Sequence, residues 1–351
     1  MKNILTYYFK KRLPLFIVVL TISMITTIVY LVSSRLVSRN YNEVLYIKDT
    51  GMIYLSVLLL IFTTFYSIFE FSFKMKRTSC DLFYSLPIKR RSLFISKYIV
   101  GISQILIIFI VNFVIVLIFG IASFAGKEFY NQYTSTYYSY NFGYYFMYLG
   151  IMISVAILLY SWYVFFFTRC NTLIDGLINM ALSSTLLCVI SIAISEFIIK
   201  VSSLNYSDLS QYLVGSDYIP YVSMFIITIK INSLAINSTN YVPNILPLVI
   251  TWGLCAASLV LFIILSDKER AENTLDISDS YFSYKVFLPI MIISLLSICD
   301  LSDPLFVAVF IGGYIGFVIY NKHFKLRKND WFIYIISSGV GFILLLVGAL
   351  L

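Results

Sequence analysis

Few residues of this chain could do chemistry, and most of them lie in one stretch. It reads Lys74-Met-Lys-Arg-Thr-Ser-Cys-Asp81-Leu-Phe-Tyr-Ser-Leu86-Pro87-Ile-Lys-Arg-Arg91-Ser-Leu-Phe-Ile-Ser-Lys97. The residue types suit docking rather than catalysis. Ser79 is a candidate N-cap, Asp81 an acid in the first turn, and Leu82, Phe83 and Leu86 are apolar anchors at i, i+1 and i+4. Pro87 ends the turn, because the residue before a proline disfavours the α region. The expected product is a short stiff helix projecting into water between two apolar segments. Just upstream, Glu70 lies in Phe69-Glu70-Phe71, inside an apolar run. An ionisable group there is costly and marks an intramembrane polar site by default. Lys74, at i+4, offers it a partner along the same helix.

Other chemistry is missing. Gly120 to Lys127 resembles a phosphate loop, but five residues separate its glycines where the motif needs four, and Glu128 stands where Ser or Thr is required. No HExxH or GxSxG pattern occurs. The five cysteines (Cys80, Cys170, Cys188, Cys255 and Cys299) form no CxxC pair, so no zinc or redox site is expected. None falls in the long hydrophilic loops, and no external disulfide is expected. His323, the single histidine, lies in a basic run and reads as a surface residue. Catalysis, cofactor and metal are therefore not expected in this chain.

The elements that must position these residues follow from composition. Of 351 residues, 60% are hydrophobic and 12% charged. That charge content is about half of the roughly 25% usual in soluble domains. The ratio excludes a soluble fold, disorder and a disulfide scaffold. About 20 apolar residues cross a bilayer. Segments meeting or approaching that length are 14–34, 52–73, 98–124, 146–167, 173–199, 245–266, 285–300, 304–321 and 331–350. The expected fold is an all-α polytopic membrane protein of about eight or nine transmembrane helices. The segments 285–300 and 304–321 are short and broken by Asp300, Asp303 and Pro304, so they form either two spans or one re-entrant hairpin.

The net charge is +8. The basic residues cluster between apolar runs, so the charge reads as topology and not as a nucleic-acid surface. With the N-terminus inside, 19 of the 25 Lys and Arg residues face inward and six outward. The run after Lys2 continues from Leu13 to about Val32, too long for a cleaved signal. It reads as a first span preceded by an amphipathic start (Ile4, Leu5, Tyr8, with Lys10 to Arg12) on the inner leaflet. Two outer segments stand out. Residues 125–145 are rich in tyrosine and read as an interfacial belt. Residues 200–244 include an apolar piece, Tyr218 to Ile229, too short to span. Gly312 and Gly316 give a GxxxG spacing that suits close helix packing within the chain.

Asp81-Leu-Phe-Tyr-Ser85-Leu86-Pro87-Ile88, followed by Arg91, Leu93-Phe94 and Ser96-Lys97, resembles the cytoplasmic loop of ABC-2-type transporter permeases, in particular the larger export permeases of Gram-positive bacteria. Lys268-Glu-Arg270-Ala-Glu272 resembles that family's second basic-x-Glu element, although Asn273-Thr274 replaces its usual glycine. The resemblance implies a six-span core over residues 1–266, with 74–97 as the cytoplasmic loop and 200–244 external. A C-terminal extension of two or three helices would occupy 267–351. It also implies that the loop helix docks on a separate ATPase subunit, with Mg-ATP held by that partner.

The resulting expectation is the permease subunit of an ATP-driven exporter in a bacterial cytoplasmic membrane, with its N-terminus inside. Asp81, Leu82, Leu86, Pro87 and Arg91 would couple it to the ATPase, and Arg270 and Glu272 would form a second cytoplasmic element. Its partners would be two ATPases, a second permease of the same or a related kind, and the bilayer. The cleft between permeases would be lined by the first, second and fifth spans. An apolar bundle with aromatic outer loops suits an amphipathic peptide or lipid-like cargo. A secondary carrier would show several intramembrane carboxylates, where the spans display little beyond Glu70. A membrane sensor or assembly factor is the other rival.

Overall fold

All nine apolar segments fold as helices. The structure, a computed structural model, describes residues 2–34, 37–39, 45–47, 50–85, 88–131, 136–139, 143–202, 245–268, 284–299 and 304–350. The helices are α1 (Lys2–Ser34), α2 (Thr50–Phe71), α3 (Arg77–Tyr84), α4 (Arg90–Phe124), α5 (Gly143–Thr168), α6 (Leu173–Ser202), α7 (Ile245–Leu265), α8 (Tyr284–Ile298), α9 (Leu305–Asn321) and α10 (Lys328–Leu350). Five are long and apolar enough to cross a membrane: Leu5–Ser34, Gly51–Met75, Arg90–Phe124, Tyr148–Thr168 and Lys328–Val347. Shorter apolar helices lie within α6, α7, α8 and α9. Residues 285–300 and 304–321 thus form two separate helices of 15 and 17 residues. At a rise of ~1.5 Å per residue each falls short of the ~30 Å hydrocarbon layer. The Tyr218 to Ile229 piece lies outside the described residues.

Two features differ from a purely helical chain. Short antiparallel hairpins join β1 (Val37–Arg39) to β2 (Leu45–Ile47) and β3 (Glu128–Asn131) to β4 (Thr136–Ser139). In the second, Tyr130 pairs with Tyr137 and Phe129 with Tyr138. Aromatic residues favour strands, so the tyrosine-rich segment is in part a hairpin. Strands β2 and β3 lie together, which places both connections at one end of their unit. The N-terminal start is also not a separate interfacial helix. It is the first part of the continuous 33-residue α1, which runs through Pro14, and Tyr8 is buried.

The described residues form two compact units. The first holds 2–70 and 89–160. Here α1 packs along α4. The helix reverses the pattern of a soluble protein. Ile17, Val18, Ile22, Ile25, Val29 and Val32 are exposed, while Ser23 and Thr27 are buried. Apolar side chains outside and hydroxyls inside mark a helix bathed in lipid, and several such helices mark a membrane-embedded protein. The Thr27 hydroxyl donates to Asn112 Oδ1 at 2.6 Å, and Asn112 Nδ2 donates to Ser23 Oγ at 3.0 Å. Small hydroxyl residues let the two helices approach and then bond across the contact. Further along, the Tyr148 hydroxyl donates to the Met52 carbonyl at 3.0 Å and lies 2.9 Å from Ser56 Oγ, tying α5 to α2.

The second unit holds 71–88, 161–202, 245–268 and 284–350. Every residue from Ser161 to Thr168 is buried, so the end of α5 has no lipid-facing side here. Helix α8 packs against α6, α9 and α10. Its core is Tyr284, Leu288, Ile292 and Leu296, with Phe317 and Tyr320 from α9. Tyr284 and Tyr320 stack with ring centres 4.5 Å apart. The close approach of α9 depends on glycine. A Cβ on Gly313 would meet the Ile292 side chain at 2.7 Å, and one on Gly316 would meet Leu288 at 2.9 Å. Gly312 faces open space. The GxxxG expectation of internal packing therefore holds, with Gly313 and not Gly312 on the packed face.

Candidate functional site

The stretch after α2 is built as a turn and a short helix. Ser72–Met75 form a 3₁₀ turn, and α3 follows after Lys76. The helix starts three residues earlier than a Ser79 cap would place it. Lys76 occupies the cap position and makes no side-chain capping bond. Lysine has no acceptor for the helix N–H groups, so packing and not a cap sets the start. Cys80 is fully buried, and the Phe83 ring meets Phe73 edge-on at 4.9 Å. The opposite face is open. Asp81 is exposed and Leu82 is 62% exposed. The Ser85 N–H donates to the Asp81 carbonyl at 3.0 Å and its hydroxyl to the Leu82 carbonyl at 2.9 Å, closing the last turn. Leu86 and Pro87 lie outside the described residues, as do Arg270 and Glu272. Arg91 is exposed in the first turn of α4.

This helix is anchored from behind. The buried Lys74 ammonium donates to the Thr168 carbonyl at the end of α5. A cation at a helix C-terminus satisfies an orphan carbonyl and meets the negative end of the dipole. Phe71 packs edge-on against Phe262 of α7, with ring centres 5.6 Å apart. Gly176 of α6 faces the Met75 methyl and the Phe167 ring, with no room for a side chain between them. Residues 71–75 thus hold the base of α3 to α5, α6 and α7. Displacing α3 would displace those helices with it.

Glu70 belongs to the first unit and is built differently. Its carboxylate is fully buried, and Oε1 lies 3.2 Å from Arg12 Nε of α1. The ion pair joins α2 to α1 over 58 positions of sequence, where Lys74 on the same helix was the expected partner. The α-helical geometry that would bring Lys74 back over Glu70 ends at Phe71. Lys97 completes the cluster. By sequence it closes a basic loop, but in the fold it is a buried residue of α4. Its ammonium lies 3.3 Å from the Glu70 carbonyl and 5.3 Å from the centre of the Tyr8 ring. The Arg12 guanidinium lies over the Phe69 ring at 4.1 Å. Two cations, one carboxylate and two rings therefore enclose the ends of three helices.

The surroundings of Glu70 remain polar. Among the described residues, the Tyr66 and Tyr160 hydroxyls and both polar atoms of Gln104 are buried without hydrogen-bond partners, and neither Glu70 carboxylate oxygen accepts a hydrogen bond. Gly101 opens the space between them: a Cβ there would collide with the Tyr160 hydroxyl and sit 3.5 Å from Glu70 Cγ. Unsatisfied buried groups on this scale mark a place for water or for rearrangement. Tyr66 and Tyr160 carry donors and Glu70 two acceptors, so small side-chain shifts can exchange the carboxylate's partners. The chemistry is that of an ionic latch on α1, α2 and α4, and the described residues hold no group of three or more His, Cys, Asp or Glu that could bind a metal ion.

Neither a protein-family model, nor a curated protein, nor a solved structure matches the chain.

The loop helix and Glu70 were both visible in the sequence, while Arg12 was read as part of the amphipathic start and Lys97 as part of the basic loop and its family resemblance, neither as a partner of Glu70. The signal that could have found Lys97 is its spacing. Lys97, Gly101 and Gln104 fall on one helical face of α4, at i, i+4 and i+7.

Proposed function

We propose that this chain is the membrane-spanning permease subunit of an ATP-driven exporter of ABC-2 type, with α3 as its contact to a separate ATPase. The observation that carries this reading is the exposure of Leu82. An aliphatic side chain held on the open face of a short polar helix suits insertion into a groove of a partner. The fixed base of α3 supports the same reading. A push on Leu82 passes through residues 71–75 to α5, α6 and α7 as rigid-body movement, as a packed bistable element requires. Asp81 adds a charged contact beside Leu82, and Arg91 of the first unit is a further candidate contact. The cargo in this reading is an amphipathic peptide or lipid-like molecule, matched to an apolar bundle. The energy source is Mg-ATP bound by the partner, and the orientation places α3 and the N-terminus in the cytosol.

The test is a photo-crosslinking residue at position 82 of the full chain in its native membrane. Capture of an ATPase bearing a Walker A motif, lost when the probe is moved to the buried position 80, is the expected result. The purified chain alone should hydrolyse no ATP. Capture of no ATPase from position 82 would overturn the coupling role.

A further inference from the structure

A second set of cations in the molecule has no part in that reading. It lies at the start of α8 and α10, within the second unit. An open cavity of about 340 Å³ is lined there by Lys285, Arg327, Lys328, Asn329, Asp330 and Ile333. Lys285 is the second residue of α8, and Lys328 to Asp330 form the first turn of α10. The lining thus combines three cations with the N-terminal ends of two helices. Helix starts present N–H groups with no intrahelical acceptor and the positive end of the dipole, and both favour an anion. Arg327 stands just before α10, and its carbonyl accepts the Trp331 N–H at 3.0 Å. Its side chain has no acceptor with which to cap that turn.

One group in the cavity calls for the opposite kind of partner. Asp330 is only 2% exposed, and its Oδ2 has no hydrogen-bond partner among the described residues. A buried acceptor without a donor is costly. A ligand that fits both halves of the lining carries a phosphate for the cations and a hydroxyl or ammonium donor for Asp330. Among the described lining residues, Arg327 and Lys328 alone outnumber the single carboxylate, which favours a ligand that is negative overall.

The position of the cavity decides between a soluble phosphate and a lipid. It opens at the end of an apolar helix of membrane-spanning length. Down that helix from the cavity, Trp331, Phe332, Ile335 and Ile336 are exposed. At the turn before it, Phe324 is 86% exposed beside Lys325. A basic pocket above an exposed apolar wall matches a headgroup above acyl chains. We propose that this cavity binds the headgroup of an anionic phospholipid. The phosphodiester would lie against Lys285, Arg327 and Lys328, and a glycerol hydroxyl would donate to Asp330. The inference rests on the membrane reading alone and stands whether or not the chain is an exporter.

The test uses the full chain purified in detergent, with bound lipid read by native mass spectrometry. It is then titrated with phosphatidylglycerol, phosphatidic acid or phosphatidylcholine. One phosphatidylglycerol should survive a detergent wash that removes phosphatidylcholine. Arg327→Gln with Lys328→Gln should cut its occupancy by about tenfold or more, at roughly one tenfold step per 1.4 kcal/mol and about 1 kcal/mol per basic residue. Lys285→Gln, on the other helix, provides an independent variant. Asp330→Asn should reduce the preference for phosphatidylglycerol over phosphatidic acid and leave phosphatidic acid binding in place. Equal occupancy by phosphatidylglycerol and phosphatidylcholine would overturn the proposal, as would unchanged occupancy in all of the cation variants. Full displacement of the lipid by millimolar glycerol phosphate would assign the cavity to a soluble phosphate compound instead.

Discussion

The two compact units treat charge in different ways. The first turns it inward: Glu70 is sealed between Arg12 and Lys97, with Tyr66, Tyr160 and Gln104 around it. The second buries Lys74 and Asp330 but also displays charge, with Asp81 on the open face of α3 and three cations lining the cavity of α8 and α10. Water and lipid headgroups screen a displayed charge, so each exposed residue contributes little to stability. A sealed charge has only its neighbours to stabilise it. Removing one partner leaves the other in an apolar medium. Charge therefore holds helices together in the first unit, while in the second, apart from the buried Lys74 that anchors α3, part of it stays open to contact.

The strongest way to break that contrast is to open the sealed cluster. Glu70→Ala should destabilise the protein by about 3–5 kcal/mol, the cost of breaking a buried pair. Thermal unfolding in detergent would measure it, and a loss below about 1 kcal/mol would show that water already reaches the site. The pair Arg12→Gln with Glu70→Gln should cost less than the sum of the single changes, since neither leaves an unpaired charge behind. Next in size is packing in the second unit, where no charge is involved. Gly316→Leu drives a side chain into Leu288 and should cost about 1–3 kcal/mol. A neutral outcome would mean that α9 does not sit this close to α8. Leu82→Asp should change stability by less than about 0.5 kcal/mol, because the position is exposed. With the crosslinking probe moved to the exposed position 81, it should nevertheless abolish capture of an ATPase, so that one substitution separates display from support. A large loss of stability from Leu82→Asp would place that side chain in a contact internal to the fold and erase the distinction between the units.

How much of this was legible from the sequence depends on the range of each signal. The nine helical segments were, because hydropathy is a local sum and a buried helix need satisfy only itself. The position of the short loop helix was visible within three residues, and its exact start was not, since the burial of Cys80 and the packing of Phe83 against Phe73 set it. The open face of Leu82 could not be told from that of Phe83 by spacing alone. The two hairpins were missed because strands of three and four residues carry almost no periodicity. The partner of Glu70 was missed for a different reason. Arg12 and Lys97 sit in basic clusters whose topological role explains them completely, and nothing local marks which member of a cluster turns inward. Tertiary contact alone made that choice.

The Arg12–Glu70 pair also sets an order of events at the ribosome. Synthesis delivers α1 first, with Arg12 at a position that needs an acidic partner. That partner is 58 residues away and Lys97 is 85, each several seconds behind at ordinary elongation rates of about 5–20 residues per second. Until α2 and α4 arrive, Arg12 has only headgroups and water to solvate it, which keeps the start of α1 at the membrane surface. Closing the cluster withdraws that charge from the lipid. Of these three helices, the earliest made is therefore fastened only when the latest arrives, and a chain cut short before Lys97 leaves α1 without the contacts that hold it.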